Sequence, residues 1–462
     1  MARSARRFGP CSSSTCERIP TPDAPAYGSS HPPVWDQAQA EAHLRSLELF
    51  GMRFGLDRMR RLMTALGSPQ LAYDTIHVVG TNGKTSTTRM IAAILQRHGM
   101  HTASYTSPHL KSYRERLQID ERDVGSQQFA DAIARASWAA ERVNRTLAGD
   151  DHVTQFELLT ASALWQIAQQ DVRVAAIEAG LGGRYDATSV IESRVTALTN
   201  VGLEHTRWLG PTLRDIAEEK LAVVCPGTTL VLGAGLADEA RGVAERVAGE
   251  RGARIVFAAD SVSDTPLAAA GAFQQRNFAL ARVVAETYLR ECSVTPSEQA
   301  VRAAAAATEV PGRLQVLCRD PLTVLDGAHN PDAVQALVQA LGDVIGGRPL
   351  ALVLGVLEDK DAVGMLGPLL AFAERAWFTA PPSARALSPA ALQSLARQLG
   401  FERAVGEPSP LLALAQAQRW ASERGGAVLA TGSVYLVGEL LAQAVPGARA
   451  EDSDDRRRRA AS

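Results

Sequence analysis

The chain has 462 residues, 46% of them hydrophobic and 21% charged, enough for two or three domains with complete cores. A formal net charge of −2 excludes the basic field of a nucleic-acid binder, and no apolar run reaches the length of a membrane span. Five scattered cysteines, at positions 11, 16, 225, 292 and 318, and an N-terminus without the apolar core of a secretory signal point to a reduced, cytoplasmic protein without a disulfide framework.

Residues 1–33 are rich in Pro, Ser and Arg and read as a disordered tail, in which Cys11 and Cys16 have no His partners for a metal site. From residue 34 to 307, β-favouring runs alternate with helical ones. Strands are expected at 76–79, 102–106, 172–178, 195–200 and 230–233, and helices at 57–66, 86–97, 129–147 and 156–169. This alternation predicts a mostly parallel sheet covered by helices. After Val310-Pro-Gly-Arg313 the pattern restarts. Strands at 322–325, 350–354, 376–379 and 427–430 alternate with helices beginning near Pro331, Asp361, Pro389 and Ser433. The fold class read from this is α/β: a first domain (34–307) with a mostly parallel sheet and a smaller second α/β domain (308–446). A charged disordered tail (447–462) follows.

The chain is organised around Thr75-Ile-His-Val-Val-Gly80-Thr81-Asn82-Gly83-Lys84-Thr85-Ser86, followed by the apolar stripe Met90, Ile91, Ile94 and Leu95. A strand, a Gly-rich turn and a helix start form a phosphate cradle, because backbone N–H groups and the helix dipole both favour an anion there. Lys84 would reach the outer phosphates, with Thr85 or Ser86 near Mg²⁺. The spacing is two residues between Gly80 and Gly83. The common P-loop has four before its Gly-Lys, and Val78 stands where its first Gly would be. This turn resembles the ATP loop of the Mur ligase superfamily, and later stretches narrow the likeness to folylpolyglutamate synthase/dihydrofolate synthase.

That resemblance implies a P-loop-type ATPase domain followed by a Rossmann-like glutamate ligase domain, and it assigns residues in chain order. In Tyr105-Thr-Ser107-Pro-His-Leu110, with Arg114-Glu-Arg116 downstream, Ser107 corresponds to a Mg²⁺ ligand. Thr154, Gln155, Phe156 and Glu157 correspond to a segment lining the pterin pocket, although Thr154 with Glu157 is also a complete helix-capping box. In Glu178-Ala-Gly-Leu-Gly-Gly-Arg-Tyr185-Asp186-Ala187, a carboxylate ends an apolar strand where α/β sheets bind ligands. The resemblance makes Glu178 a Mg²⁺ ligand, and Tyr185, Asp186 and Ala187 pterin contacts. In Glu204-His205, His205 corresponds to a second Mg²⁺ ligand. Lys220, after Glu218-Glu219, corresponds to a carbamylated lysine; the bland alternative is a solvated Lys. Asn277, Arg313 and Asp326 correspond to ATP contacts, together with Thr81, Asn82, Gly83, Lys84, Thr85 and Ser86. Asp326 and His329 correspond to groups needed for turnover.

The chain departs from the family pattern at Thr85, where Gly is usual, and at Tyr185, Ser189, Glu204 and Leu221. The expected activity is an ATP-dependent amide ligase with two Mg²⁺ ions. It would add L-glutamate to dihydropteroate, to the γ-carboxyl of folate polyglutamates, or to both, through an acyl phosphate. The expected partners are small molecules (folate or dihydropteroate, L-glutamate and ATP), with no nucleic acid or membrane, and the chain is expected to be a monomer. Two alternatives stay open: another Mur-type ligase acting on a peptidoglycan precursor or other polyglutamylated cofactor, and a nucleotide-binding regulator without catalysis.

Overall fold

The computed structural model describes residues 31–47, 55–259 and 265–443. The expected tail at 447–462, and that at 1–33 apart from residues 31–33, lie outside the described residues, as do Cys11 and Cys16.

The first sheet has eight strands: β1 (Asp74–Val79), β2 (Thr102–Tyr105), β3 (Leu117–Ile119), β4 (Arg122–Asp123), β5 (Val174–Glu178), β6 (Val195–Leu198), β7 (Thr229–Leu232) and β8 (Arg254–Phe257). Their order is β4-β3-β2-β5-β1-β6-β7-β8. β2, β5, β1, β6, β7 and β8 run parallel, with β3 and β4 appended antiparallel at one edge. Every residue of β5 is buried, as a central parallel strand covered on both faces requires. The helix Lys84–Arg97 connects β1 to β2. Its Met90, Ile91 and Ile94 join Ile76 and Val78 of β1 in a core closed by Phe278 and Tyr288 of the helix Ala272–Glu291. The helices Ser126–Asn144 and Gln155–Gln169 cover the other face through Phe129, Ile133, Leu158 and Leu164.

The second sheet has six strands: β9 (Gln315–Arg319), β10 (Leu322–Leu325), β11 (Leu350–Leu354), β12 (Ala373–Phe378), β13 (Ala404–Gly406) and β14 (Ala427–Thr431). Their order is β13-β12-β11-β14-β10-β9, parallel except for β9. Helices Pro331–Ile345, Ala362–Phe372 and Pro389–Gln398 pack on one face, and Pro410–Arg424 and Val434–Gln443 on the other.

The central strands and the helices between them fall where the periodicity puts them, with shifted ends. The helix expected from residue 86 starts at Lys84, because Gly83 takes a left-handed conformation (φ 80°) and turns the chain into the helix two residues earlier. β5 begins at Val174 rather than 172, and the helix expected from 129 begins at Ser126. The edge strands β4, β8, β9 and β13, and β3 beside β4, have no counterpart in the expected set. These strands are short, and within each no apolar run exceeds three residues, as in Ile255-Val256-Phe257 of β8, which leaves little periodicity to read. The β3–β4 hairpin turns through Asp120 and Glu121, both at positive φ, and so lacks the Asn-Gly or Asp-Gly signal that would reveal it.

Candidate active site

Three neighbouring strands of the first sheet deliver the site at their carboxyl ends. β1 leads into Gly80–Gly83, β5 ends in Glu178, and β6 leads into Thr199 and Asn200. The chain leaves β1 toward β2 on one side and later places β6 on its other side, so the crevice forms where strand order reverses. Asn200 holds the glycine-rich turn: its side-chain oxygen accepts from Asn82 N at 2.9 Å, and its carbonyl accepts from Thr81 N at 3.0 Å. Gly83 has a left-handed φ of 80°, which favours glycine, and a Cβ there would displace the Asn277 side-chain oxygen that the helix Ala272–Glu291 brings against the turn. Lys84 Nζ lies back over the turn and donates to the carbonyls of Gly80 (3.1 Å) and Thr81 (3.0 Å).

Two adjoining cavities open from this turn. One, of about 300 Å³, is lined by Asn82, Ser86, Asn277, Arg313, Asp326 and His329 among others. The second, of about 170 Å³, is lined by Lys84, Thr85, Ser107, Glu178, His205 and Lys220 among others, and shares Arg313 and His329 with the first. The loops of the two sheets thus face each other across one cleft.

Glu178 is buried at the cleft floor. It accepts from Thr85 Oγ1 at 3.0 and 2.9 Å and from Ser107 N at 3.0 Å. Burial pushes its pKa up, against the charge of Lys84. His205 stands at positive φ (53°) at the start of the helix Thr206–Leu209, a backbone conformation that costs energy and that the surrounding structure must hold. Burial, then the charge of Lys360, lowers its pKa to about 4, which keeps the imidazole neutral. Among the described residues no three His, Cys, Asp or Glu side chains converge into a self-sufficient metal cage. One carboxylate, hydroxyls and a neutral imidazole around a small cavity instead fit Mg²⁺, which takes few protein ligands and completes its shell with water and phosphate oxygens.

Lys220 is 4% exposed and donates to Gly80 O at 2.8 Å, so the solvated-lysine alternative is overturned. Burial, then repulsion from Lys84, lowers its pKa to about 7. Across the cleft, Asp326 follows β10 and accepts from Leu314 N (2.9 Å) and Ala328 N (2.8 Å). Burial pushes its pKa up and Arg313 opposes this. Arg313 Nη1 donates to Gly312 O at 3.1 Å, and His329 Nδ1 donates to Gly327 O at 2.9 Å.

The residues expected at the pterin pocket divide. Thr154 and Glu157 form the capping box, Gln155 Nε2 donates to Leu44 O at 2.7 Å, and Glu157 pairs with Arg58 at 3.1 Å, so these three side chains hold the fold together. Phe156 reaches the turn after β5, where a Cβ on Gly180 would lie 2.5 Å from its ring and 2.9 Å from Asp186 Oδ2. Asp186 is buried and braces that turn by accepting from Leu181 N (2.8 Å), Thr188 N (3.0 Å) and Thr188 Oγ1 (2.6 Å). Ala187 is buried and Tyr185 is 48% exposed.

Sequence reasoning assigned no role to Glu204, Lys360 and Asn330, which help to bridge the two sheets. Glu204 Oε1 accepts from Lys360 Nζ at 2.9 Å and lies 3.5 Å from His329 Nε2 and 3.6 Å from His205 Nε2. Burial would raise the pKa of Glu204, but His329, Lys360 and His205 outweigh it and hold the carboxylate far below its ordinary value. Asn82 and Asn330 exchange two amide hydrogen bonds, at 2.9 and 3.3 Å. The signal available in the sequence was position: Glu204 precedes the expected ligand His205, and Asn330 follows His329.

Two family models match. The Mur ligase middle domain covers residues 78–229, and the Mur ligase glutamate ligase domain covers 312–434. The chain is 34% identical to the folylpolyglutamate synthase of Lacticaseibacillus casei over 361 residues, covering 73% of this chain and 84% of that protein. It superimposes on Mycobacterium tuberculosis folylpolyglutamate synthase complexed with ADP at a TM-score of 0.83 and 29% identity, over 88% of this chain and 98% of the other. A bifunctional folylpolyglutamate synthase/dihydrofolate synthase from Yersinia pestis, complexed with AMPPNP and Mn ion, matches at a TM-score of 0.76 and 29% identity, over 88% and 98% of the two chains.

Proposed function

The chain belongs to the folylpolyglutamate synthase/dihydrofolate synthase family of Mur ligases and is an ATP-dependent ligase, and we propose that its cleft joins L-glutamate to dihydropteroate and to the γ-carboxyl of folate polyglutamates. The observation that carries this reading is the convergence of Lys84, Glu178 and His205 from the first sheet with Arg313, Asp326 and His329 from the second, around two joined cavities.

In this reading the ATP phosphates lie on the N–H groups of Asn82–Ser86. Thr81, Asn277, Arg313 and Asp326 line the remainder of the nucleotide site. The acceptor carboxylate attacks the γ-phosphorus, ADP leaves, and an acyl phosphate forms. The amine of glutamate then attacks the acyl carbon and phosphate departs. Lys84 brings a fixed positive charge to the transferring phosphoryl group. Arg313 adds a second from across the cleft, so both domains must be in contact for turnover. Ser107, Glu178 and His205 would hold two Mg²⁺ ions, with a carbamylated Lys220 supporting them; bound there, the ions neutralise charge on the phosphate oxygens. Asp326 and His329 hold the cleft face opposite the phosphates. Phe156 and the 185–187 turn face the pterin, with Thr154, Gln155 and Glu157 fixing the helix that carries Phe156. The domain roles that go with this are ATP and pterin binding for residues 34–307 and glutamate ligation for 308–446. One chain supplies both sides of the cleft, which supports a monomer. No described helix is long and apolar enough to cross a membrane, and we assign the enzyme to the cytoplasm.

The test is release of ADP by the purified full-length protein given ATP, Mg²⁺ and L-glutamate with either dihydropteroate, a reduced folate or a peptidoglycan precursor. Release with the first two acceptors, none with the third, and a loss of at least about 100-fold in Lys84→Ala are expected. Release with the peptidoglycan precursor alone, or near-normal turnover of Lys84→Ala at saturating ATP, would overturn the reading.

A further inference from the structure

Arg89 stands one turn after Thr85 on the helix Lys84–Arg97, on the same helical face. It is half-buried, and its Nε is enclosed with no hydrogen-bond partner. The carboxylates whose fields reach it are those of Asp123, Glu115 and Glu178. Each is engaged elsewhere. Glu115 accepts from Leu110 N, Lys111 N and Ser112 N at 2.9–3.0 Å. Glu178 is held by Thr85 and Ser107, and Asp123 accepts from Gln118 at 2.8 Å. An arginine stays charged, so an enclosed Nε–H without an acceptor is costly and the guanidinium can still take a planar anion.

Arg89 opens on a side cavity of about 40 Å³ that also touches Thr85, His109, Pro311, Arg313 and Glu115, whose carboxylate is taken up by the three N–H groups of residues 110–112. The residues around it come from both sheets' loops, and Thr85, Pro108, Arg313 and Val434 also line the larger cavity that holds Lys84 and Glu178. The volume is that of a few water molecules, enough for one carboxylate group and too small for a whole amino acid. The reaction constrains which carboxylate it takes. The attacking amine must be beside the acyl phosphate in the larger cavity, and the α-carboxylate is only one carbon away from that amine. The side-chain carboxylate lies three carbons from the α-carbon and is the one group that reaches outward. Arg89 sits five residues along the helix from Lys84, a rise of about 7.5 Å, comparable with that reach.

We propose that Arg89 binds the side-chain carboxylate of the incoming glutamate and selects this amino acid over its uncharged analogues. The inference rests on the ligase reading above. A bidentate guanidinium fork recognises the planar carboxylate, and a site built for that contact rejects the amide that lacks the charge.

The experiment measures kcat and KM for L-glutamate and for L-glutamine with the full-length enzyme at saturating ATP and folate acceptor. The wild type, Arg89→Gln, Arg89→Met and Arg89→Lys are compared, with the melting temperature of each. Arg89→Gln should raise the KM for glutamate about 30- to 100-fold, leave the KM for ATP within about twofold, and collapse the preference for glutamate over glutamine. Arg89→Lys should retain part of that preference. If Arg89→Gln loses the wild-type melting temperature, Arg89→Met, which keeps the packing of the stem, is read the same way. An unchanged glutamate-to-glutamine ratio, or an equal fall for both amino acids, overturns the inference and indicates a structural arginine. Absence of glutamate ligation by the unaltered enzyme would instead remove the proposed function, and this inference with it.

Discussion

At the scale of single residues, Lys220 has the least ordinary environment. Its amine is sealed beneath the Gly80 carbonyl, and its pKa falls to about 7 through burial and the neighbouring Lys84. Carbamylation needs an unprotonated amine, and the shift supplies one near neutrality: protonated forms dominate at pH 6 and neutral forms at pH 8. Enzyme stripped of bicarbonate should therefore regain activity on its return more readily at pH 8 than at pH 6. Lys220→Ala should fold normally and lose about 100-fold or more in turnover, with partial rescue by acetate. Full activity of that variant without rescue would dismiss the modification. The shift also has a sign for stability. The unfolded chain binds this proton up to about pH 10.5 and the folded one only below about pH 7. The unmodified lysine therefore contributes a cost that is fully present below pH 7 and disappears as pH rises toward 10.5.

At the scale of elements, the helix Gln155–Gln169 shows how a site motif and a folding motif can share one stretch. Thr154 and Glu157 close its first turn, and the same Glu157 forms a buried pair with Arg58 of the helix Asp57–Ala65, 99 positions earlier. Arg58 also pairs with Asp151 at 3.2 Å and keeps that partner, so Glu157→Ala should lower the unfolding free energy by about 1–3 kcal/mol in urea titrations. The KM for dihydropteroate should move by no more than about threefold. A stable variant with a strongly raised KM would place Glu157 among the substrate contacts instead. The capping box was legible because it is local. The Arg58 pair was not, since nothing in the sequence relates two positions so far apart.

For the whole molecule, the contacts between the two sheets' loops matter most. Glu204 and Lys360 join at 2.9 Å with His329 beside them, and Asn82 faces Asn330. These links hold Arg313 and Asp326 against the nucleotide turn. Lys360→Met should raise the KM for ATP about tenfold and enlarge the radius of gyration in solution scattering. Its effect should not add to that of Glu204→Gln, because both remove one link. Additive losses with an unchanged scattering profile would show that the pair has no part in closure.

The amino-acid sequence determined the strand–turn–helix at 75–95, the alternation that makes two α/β sheets, and the order of motifs that marks the family. Each is written in neighbouring residues, through periodicity, turn chemistry and the charge of a single side chain. Tertiary structure decided which groups share a cavity, that Lys220 is buried and not solvated, that Asp186 braces its own turn, and that Arg89 Nε is enclosed without an acceptor. It also decided the edge strands, whose stretches are partly exposed and too short for a periodic signal. Burial and pairing between distant positions arise only when strands far apart in the chain become neighbours in a sheet. The electrostatics of the cleft, set by that burial, could therefore not be read from residue types and spacing.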